Sequence, residues 1–374
     1  MRNLFDETSI KGMHLANRLV RSATWEGMCA EDGRPTDKLA AYYESLAAGG
    51  VGLVISGYGY VRSDGKQLPG QLGVHRDEFI PDLRKLADAV HRQGGKFCVQ
   101  LVHCGGQTTE KMSGAQPVAP SSVKVEQYPE LPAELDNNGI KELTGCFARS
   151  AARAREAGCD AVQFHAAHGY LINQFLSPLT NRRDDSYGGN IDGRHRFLME
   201  VYRAVRHEVG ADYPVMVKIN GCDNLQGGLA LEDAVFACRQ LDEEGIDAIE
   251  VSGGTPASGF ETPVRQGIET RINEAYNLPL AYRIKNAVSC PVMVVGGLRS
   301  YELVEGIIRR EEADYVAFAR PLIREPTLPL RWAQGNEVHS RCISCNGCFK
   351  PGLKEGGIYC VVEKIERESR NASL

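Results

Sequence analysis

The sequence predicts an α/β protein, a (β/α)8 TIM barrel with a short Cys-rich C-terminal appendage. One pattern recurs along the chain: an amphipathic stretch, then a short Val/Ile/Ala-rich run that ends in polar or glycine residues. The runs are almost continuously apolar, as strands are when helices cover a parallel sheet. Eight such runs can be counted, the number that closes a barrel of about 250 residues plus insertions. An open doubly wound sheet is the runner-up; it more often has fewer strands, and the Gly-rich fingerprint of a dinucleotide fold is absent near the N-terminus.

Taken in order, the first strand covers 18–24. The helical stretch 38–48 precedes strand 51–57, and 79–93 precedes 96–103. Stretch 140–157 leads into 160–165, 194–209 into 214–220, and 231–244 into 247–253. Last come 280–287 before 291–297, and 301–310 before 314–320. Two connections are long. Segment 105–138 holds several prolines and reads as an irregular excursion or lid, and 168–192 is equally polar; long loops in compact domains are usually functional or disordered. Beyond the last strand the chain is too short for a second domain, so the expected division is a barrel over 1–331 and a Cys-rich segment over 332–374.

The chain has 374 residues, with 43 Lys+Arg against 48 Asp+Glu, a formal charge of −5. Without a basic excess, nucleic acid is not an expected partner. No apolar run is long enough for a membrane span, and residues 1–11 do not read as a secretory signal, so a cytoplasmic protein is expected; homo-oligomerisation is left open. Of 12 cysteines, eight are scattered singly and read as reduced, buried thiols. The other four, Cys342, Cys345, Cys348 and Cys360, form a C-terminal cluster. That distribution suggests free thiols plus a ligand site, not a disulfide framework.

Strand side chains alternate between faces. If Val162 and Phe164 face the helices, Gln163 and His165 face the barrel interior. The same alternation sends Lys218 and Asn220 inward, and likewise Gln100, Glu250 and Ser252. A barrel mouth lined this way is a polar binding site, where barrel enzymes keep their chemistry. An ammonium such as Lys218 inside a barrel needs an anion beside it, either Glu250 or a bound ligand with delocalised negative charge. Gly296 and Gly297 at the end of the seventh strand, with Ala319-Arg320 ending the eighth, form the corner where such barrels bind phosphate. His165, His168 and Tyr170 sit at the fourth strand's end and in its loop. Two imidazoles can converge on one carbonyl oxygen while a phenol supplies a proton; the alternative, a metal pair, lacks a third ligand at usual spacing.

On these residues the chain resembles the Old Yellow Enzyme family of flavin-dependent oxidoreductases. The resemblance runs from about Asn3 to Arg331. It rests on Asn17-Arg18, Val99-Gln100-Leu101, His165-x-x-His168-x-Tyr170, the stretch FLSPLTNRRDDSYGG at 175–189, Gly296-Gly297 and Arg320. It implies a barrel that binds FMN non-covalently and takes electrons from NAD(P)H. It also implies roles: Gln100 at the flavin's pyrimidine edge, Lys218 near N1, and Ser22, Ala23, Thr24 and Gly57 along the isoalloxazine. Gly296, Gly297, Ala319 and Arg320 would hold the phosphate, His165 and His168 the substrate carbonyl, and Tyr170 the transferable proton. Departures are Lys218 where many relatives have Arg, Ala319 where they have Gly, and Ser22-Ala23-Thr24-Trp25 in place of a Pro-containing segment. Thr24 is expected near flavin N5, with Trp25 the alternative wall of the substrate pocket. The tail spacing C-x2-C-x2-C-x11-C resembles the iron–sulfur segment of the larger 2,4-dienoyl-CoA reductase branch and implies a [4Fe–4S] cluster; structural zinc and four free thiols are the alternatives.

The leading expectation is thus an FMN-dependent NAD(P)H oxidoreductase, an ene-reductase acting on a small-molecule α,β-unsaturated carbonyl compound. The alternatives are an FMN-dependent dehydrogenase of an amine or other small substrate, a flavin-free phosphate-binding barrel lyase, and a metal-stabilised interaction module.

Overall fold

Eight parallel strands close into a barrel in the computed structural model, which describes residues 2–372. They are β1 (Leu19–Arg21), β2 (Leu53–Ile55), β3 (Lys96–Val102), β4 (Ala161–Ala166), β5 (Val215–Asn220), β6 (Ala248–Ser252), β7 (Val292–Val295) and β8 (Tyr315–Phe318). Each pairs with the next in sequence, and β8 pairs with β1 to complete the ring. The predicted (β/α)8 barrel is therefore the observed fold. The covering helices are α1 (Asp37–Ala48), α2 (Ile80–His91), α3 (Asn137–Glu156), α4 (Arg196–Val209), α5 (Leu231–Glu243), α6 (Leu278–Lys285) and α7 (Tyr301–Arg309). After β8 come α8 (Arg320–Arg324), α9 (Leu328–Ala333), α10 (Phe349–Lys354) and α11 (Val361–Ala372). No helix among the described residues is long and apolar enough to cross a membrane.

Local chemistry starts the elements. Thr36 caps α1 by accepting from the Leu39 amide, and Asp136 caps α3 by accepting from the Gly139 amide. In α4, Phe197, Val201, Val205 and Val209 recur on one face and are buried. Three aspartates set strand register at the bottom of the barrel. Asp160 accepts from the Phe97 amide at 2.9 Å, Asp247 from Val215 at 2.8 Å and Asp314 from Val292 at 2.9 Å. Each stands just before one strand and satisfies the first residues of its neighbour.

The alternation read from sequence holds. Val54, Val99, Val162, Phe164, Val217, Val251 and Val294 pack outward against the helices. Val20, Ile55, Cys98, Met216, Ala248, Met293 and Ala317 pack inward. An antiparallel hairpin, Thr8–Ile10 with Met13–Leu15, plugs the bottom; its Ile10, Met13 and Leu15 join the inward cluster. Periodicity in the barrel segments gives no sign of this plug. Trp332, in α9, packs against Phe318 and Tyr301, so this helix runs across position 331 while still covering the barrel.

The first two strands are shorter than the apolar runs that announce them, and side chains satisfy part of the backbone beyond them. The buried Arg21 guanidinium donates to the carbonyls of Ile55 (2.6 Å) and Thr24 (3.2 Å) and to Glu26 Oε1 (2.7 Å). Glu26 Oε1 also accepts from the Tyr43 hydroxyl (2.8 Å) and the Gly57 amide (3.1 Å). This ion pair holds the loop after β1 over the barrel mouth. Removing one member of a buried pair typically costs about 3–5 kcal/mol. Glu26→Ala is expected to destabilise by that order, read as a lower urea midpoint; a loss below about 1 kcal/mol would mean the pair is solvated.

Candidate active site

A cavity of about 300 Å³ opens at the C-terminal ends of the strands, within the ~300–1,000 Å³ of small-molecule sites. Its wall includes Ser22, Ala23, Thr24 and Trp25 after β1, His165, His168 and Tyr170 at β4, Lys218 on β5 and Ser252 on β6. Gly296, Gly297 and Arg299 after β7, and Ala319 and Arg320 after β8, complete it, with Ser344, Phe349 and Leu353 from the tail. Most of the residues singled out in the sequence therefore converge. Gly57 and Gln100 do not line the cavity. Gly57 lies against Glu26, where an added Cβ would sit 2.1 Å from Oε2; it makes room for the ion pair. Gln100 lies deeper. Its Nε2 donates to Gln163 Oε1 at 2.6 Å, and its own Oε1 has no partner among the described residues.

Below the cavity the inward polar side chains form one chain of bonds. Gln163 passes the link to Glu250 Oε2 (2.9 Å). Glu250 Oε1 accepts from Ser22 Oγ (2.5 Å) and Lys218 Nζ (3.1 Å), and Lys218 also donates to Ser22 (2.8 Å). The anion that Lys218 needs is thus Glu250, although the ammonium still reaches the cavity wall.

His165 and His168 lie with ring centroids 4.9 Å apart, and Tyr170 stands 4.8 Å from His165. Burial, then each other's field and Lys218, pushes His165 well below the usual imidazole pKa; burial and Lys218 do the same for His168. Both are neutral near pH 7. The Ala167 amide donates to His165 Nδ1 at 3.2 Å, so the remaining proton sits on Nε2, a donor left for a ligand. His168 pairs through Nε2 with Ser252 Oγ at 2.7 Å. Its backbone is left-handed, φ 62°, held by a bond from its amide to Asn220 Oδ1 at 3.2 Å. Asn220, expected at the mouth, therefore supports the His168 turn from below, bonded to Asp223 Oδ1 at 2.9 Å. Burial raises the Tyr170 phenol well above its usual pKa, so it carries its proton.

In the glycine corner, Gly296 and Gly297 have φ 136° and 69°, and a Cβ on either would meet the Tyr276 ring at 2.7–2.9 Å. The corner thus accepts only glycine and leaves its backbone open to a ligand. Sequence reasoning missed Tyr276, Tyr58 and Arg299; their signal, one aromatic or Arg in each loop after a strand, is not periodic. Trp25 lines the cavity and donates from Nε1 to Pro69 O at 3.1 Å. Thr24 donates to Ser22 O at 3.1 Å.

Arg320 also faces a second, small cavity of about 20 Å³, lined by Cys342, Cys345, Cys348 and Cys360 with Arg324 and Ile323. Its Nη1 donates to Asn346 Oδ1 at 2.6 Å. All four cysteines are free thiols, and burial with the neighbouring thiols pushes Cys348 up to about 12. No group of three or more His, Cys, Asp or Glu among the described residues is spaced as a metal site.

A closed parallel barrel with a donor-lined pocket and a glycine–arginine corner at its strand ends is the architecture of barrel enzymes that bind phosphorylated ligands. Residues 3–338 match the NADH:flavin oxidoreductase / NADH oxidase family, and the chain belongs to that family, the Old Yellow Enzyme group that its motifs resemble. It is 37% identical over its full length to a metal reductase of Desulforamulus reducens, matching 55% of that protein. It is 38% identical to an NADPH dehydrogenase of Listeria monocytogenes, covering 87% of this chain and 93% of that one. A solved structure of a 2-naphthoyl-CoA reductase in complex with 2-naphthoyl-CoA superimposes with TM-score 0.89 and 28% identity, over 96% of this chain and 56% of that one. The chain spans about half the length of the first of these relatives.

The neutral imidazoles have a measurable consequence. The unfolded chain protonates histidine near pH ~6.5, whereas the folded state holds His165 and His168 neutral to well below that. Below ~6.5 the unfolded state binds more protons, so this stability is complete above that pH and is lost as the pH falls, by up to about 1.4 kcal/mol per unit for each ring. His165→Gln should flatten the fall in urea midpoint between about pH 7 and 5.5; an unchanged slope would mean that His165 titrates normally.

Proposed function

We propose that the chain is an FMN-dependent NAD(P)H oxidoreductase that reduces the activated C=C bond of an α,β-unsaturated carbonyl compound, an enone, enoate or enoyl thioester. The observation that carries the reading is two neutral imidazoles and a protonated phenol on one cavity whose wall includes the glycine–arginine corner. The donor set fits the cofactor. Lys218 and Ser22 to Thr24 would face the ring system, and Gly296, Gly297, Ala319 and Arg320 the phosphate. Gln100 and Gly57 would act at one remove, through Gln163 and Glu26. When bound, the flavin supplies hydride transfer.

His165 Nε2–H, with His168, would bind the substrate carbonyl oxygen and draw electron density toward it. Neutral rings suit this task, because each donates a hydrogen bond without adding charge beside Lys218. Tyr170 would protonate the α carbon of the resulting enolate. The solved naphthoyl-CoA complex supports including thioesters among the substrates, and the name of the Listeria relative supports a nicotinamide donor. Tyr170→Phe keeps the ring and removes the proton. It should leave flavin reduction by NAD(P)H near the wild-type rate and slow alkene turnover by roughly 10²-fold; a wild-type alkene rate would exclude the proton-donor role.

Residues 332–374 are read as a Cys-rich segment appended to the barrel, its four thiols holding a [4Fe–4S] cluster, with zinc as the alternative. Four thiols lining one cavity support this; they do not stand at ligand spacing without a metal, so a cation there would draw them together as well as draw off their protons. Iron and zinc analysis of anaerobically purified protein tests it: about four iron per chain supports the cluster, about one zinc the structural alternative, and neither metal rejects both.

A further inference from the structure

Gln67 is not on the cavity wall, yet its side chain holds two of the phenols that are, Tyr58 and Tyr170. Tyr170 and Tyr58 each donate their hydroxyl proton to Gln67 Oε1 at 2.9 Å. Gln67 Nε2 donates to the Tyr128 hydroxyl at 2.6 Å. The rings of Tyr58 and Tyr170 are 5.4 Å apart, and each residue is only 9% exposed. The Gln67 backbone is fixed in turn: its amide donates to Gln71 Oε1 at 2.7 Å, and Gln71 Nε2 donates to Tyr58 O at 3.0 Å.

An amide oxygen with two phenol protons on it suits two neutral phenols. It does not suit a phenolate, which would face another oxygen. On the reading that Tyr170 is the proton donor, its O–H bond breaks, the enolate's electron pair forms the new C–H bond at the α carbon, and a phenolate remains. Turning the Gln67 amide over resolves the clash. Nε2–H then points at the phenolate, and Oε1 accepts from Tyr128, whose hydroxyl serves as donor or acceptor alike. Tyr58 can turn its own proton from Gln67 to the Tyr170 oxygen. A solvent proton entering the cavity restores the phenol.

We propose that Gln67 is a positioning residue for Tyr170, a rotatable amide that accepts the phenol's hydrogen bond before proton transfer and donates to the phenolate after it, with Tyr58 as the second donor. This inference rests on the proton-donor reading of Tyr170.

Two substitutions separate the two halves of the role. Gln67→Glu can still accept from both phenols but, ionised, cannot donate; Gln67→Met does neither. In the FMN-loaded protein both should slow alkene reduction roughly 10- to 100-fold while flavin reduction by NAD(P)H stays within about twofold. In a Tyr170→Phe background neither should slow it further, since residues acting as a unit are not additive. A readout apart from turnover is the absorbance of the Tyr170 phenolate on alkaline titration, taken as the difference between each protein and its Tyr170→Phe counterpart. The groups facing Tyr170 are Tyr58, Tyr128, Cys104 and the His165 ring, and all are unchanged in Gln67→Glu. The new carboxylate should move that ionisation to higher pH. Full alkene rates in both Gln67 variants, with Tyr170→Phe slow, overturn this inference alone. Equal slowing with and without Tyr170 overturns it too. A fast Tyr170→Phe overturns the proton-donor reading and this inference with it. If Gln67→Met does not fold, Gln67→Glu decides the matter.

Discussion

Glu250 carries a carboxylate into a barrel of Val, Met, Cys and Ala side chains, and much of the mouth is arranged around keeping it satisfied. Ser22, Gln163 and Lys218 all donate to it, which ties the loop after β1, with β4 and β5, to β6. Neither charge could stay in so apolar a place alone, because an uncompensated buried ion costs several kcal/mol. The pairing also fixes where the positive charge sits. Lys218 ends at the cavity wall, and its field helps to hold His165 and His168 neutral. The pair therefore shapes both the floor of the pocket and the protonation of the groups above it.

The barrel was legible because its apolar runs recur after amphipathic helical stretches. The inward positions of Gln163, His165, Lys218, Glu250 and Ser252 followed from alternation alone. What alternation could not show was depth. Gln100 and Asn220 point inward as read, but Gln100 lies beneath the cavity and Asn220 beneath a turn, because side-chain length and loop path decide which polar group reaches the ligand. Gly57 carried no periodic signal; its place against Glu26 depends on the Arg21 ion pair, five residues apart in sequence and invisible to pattern. Gln67 and Tyr128 come from irregular loops, where neither a two-residue nor a helical period operates. The bottom hairpin was missed because no amphipathic helical stretch sets off its two strands, which follow each other across a two-residue turn.

Left-handed His168 shows how the loop after β4 departs from the regular backbone. A non-glycine residue holds that conformation only when its surroundings over-determine it. Here Asn220 takes the backbone amide and Ser252 takes the ring, so two strands fix one imidazole from opposite sides. The neighbouring Gly169 amide is bound by Asn173 Oδ1, which secures the turn before Tyr170. The spacing of two histidines and a tyrosine thus works as one rigid unit and not as three separate side chains.

Trp25 stands between barrel and tail: it lines the cavity, and a Cβ on Gly352 would meet its ring at 2.7 Å. The chain has only two tryptophans, and the other, Trp332, is buried against Phe318. One indole therefore reports on the core, and the other on whether α10 is seated and what occupies the pocket. The protein carries its own pair of optical probes, both buried but set in different surroundings. With the pocket's occupant held constant, an intensity change confined to the Trp25 component would reveal movement of the Cys-rich segment without any label.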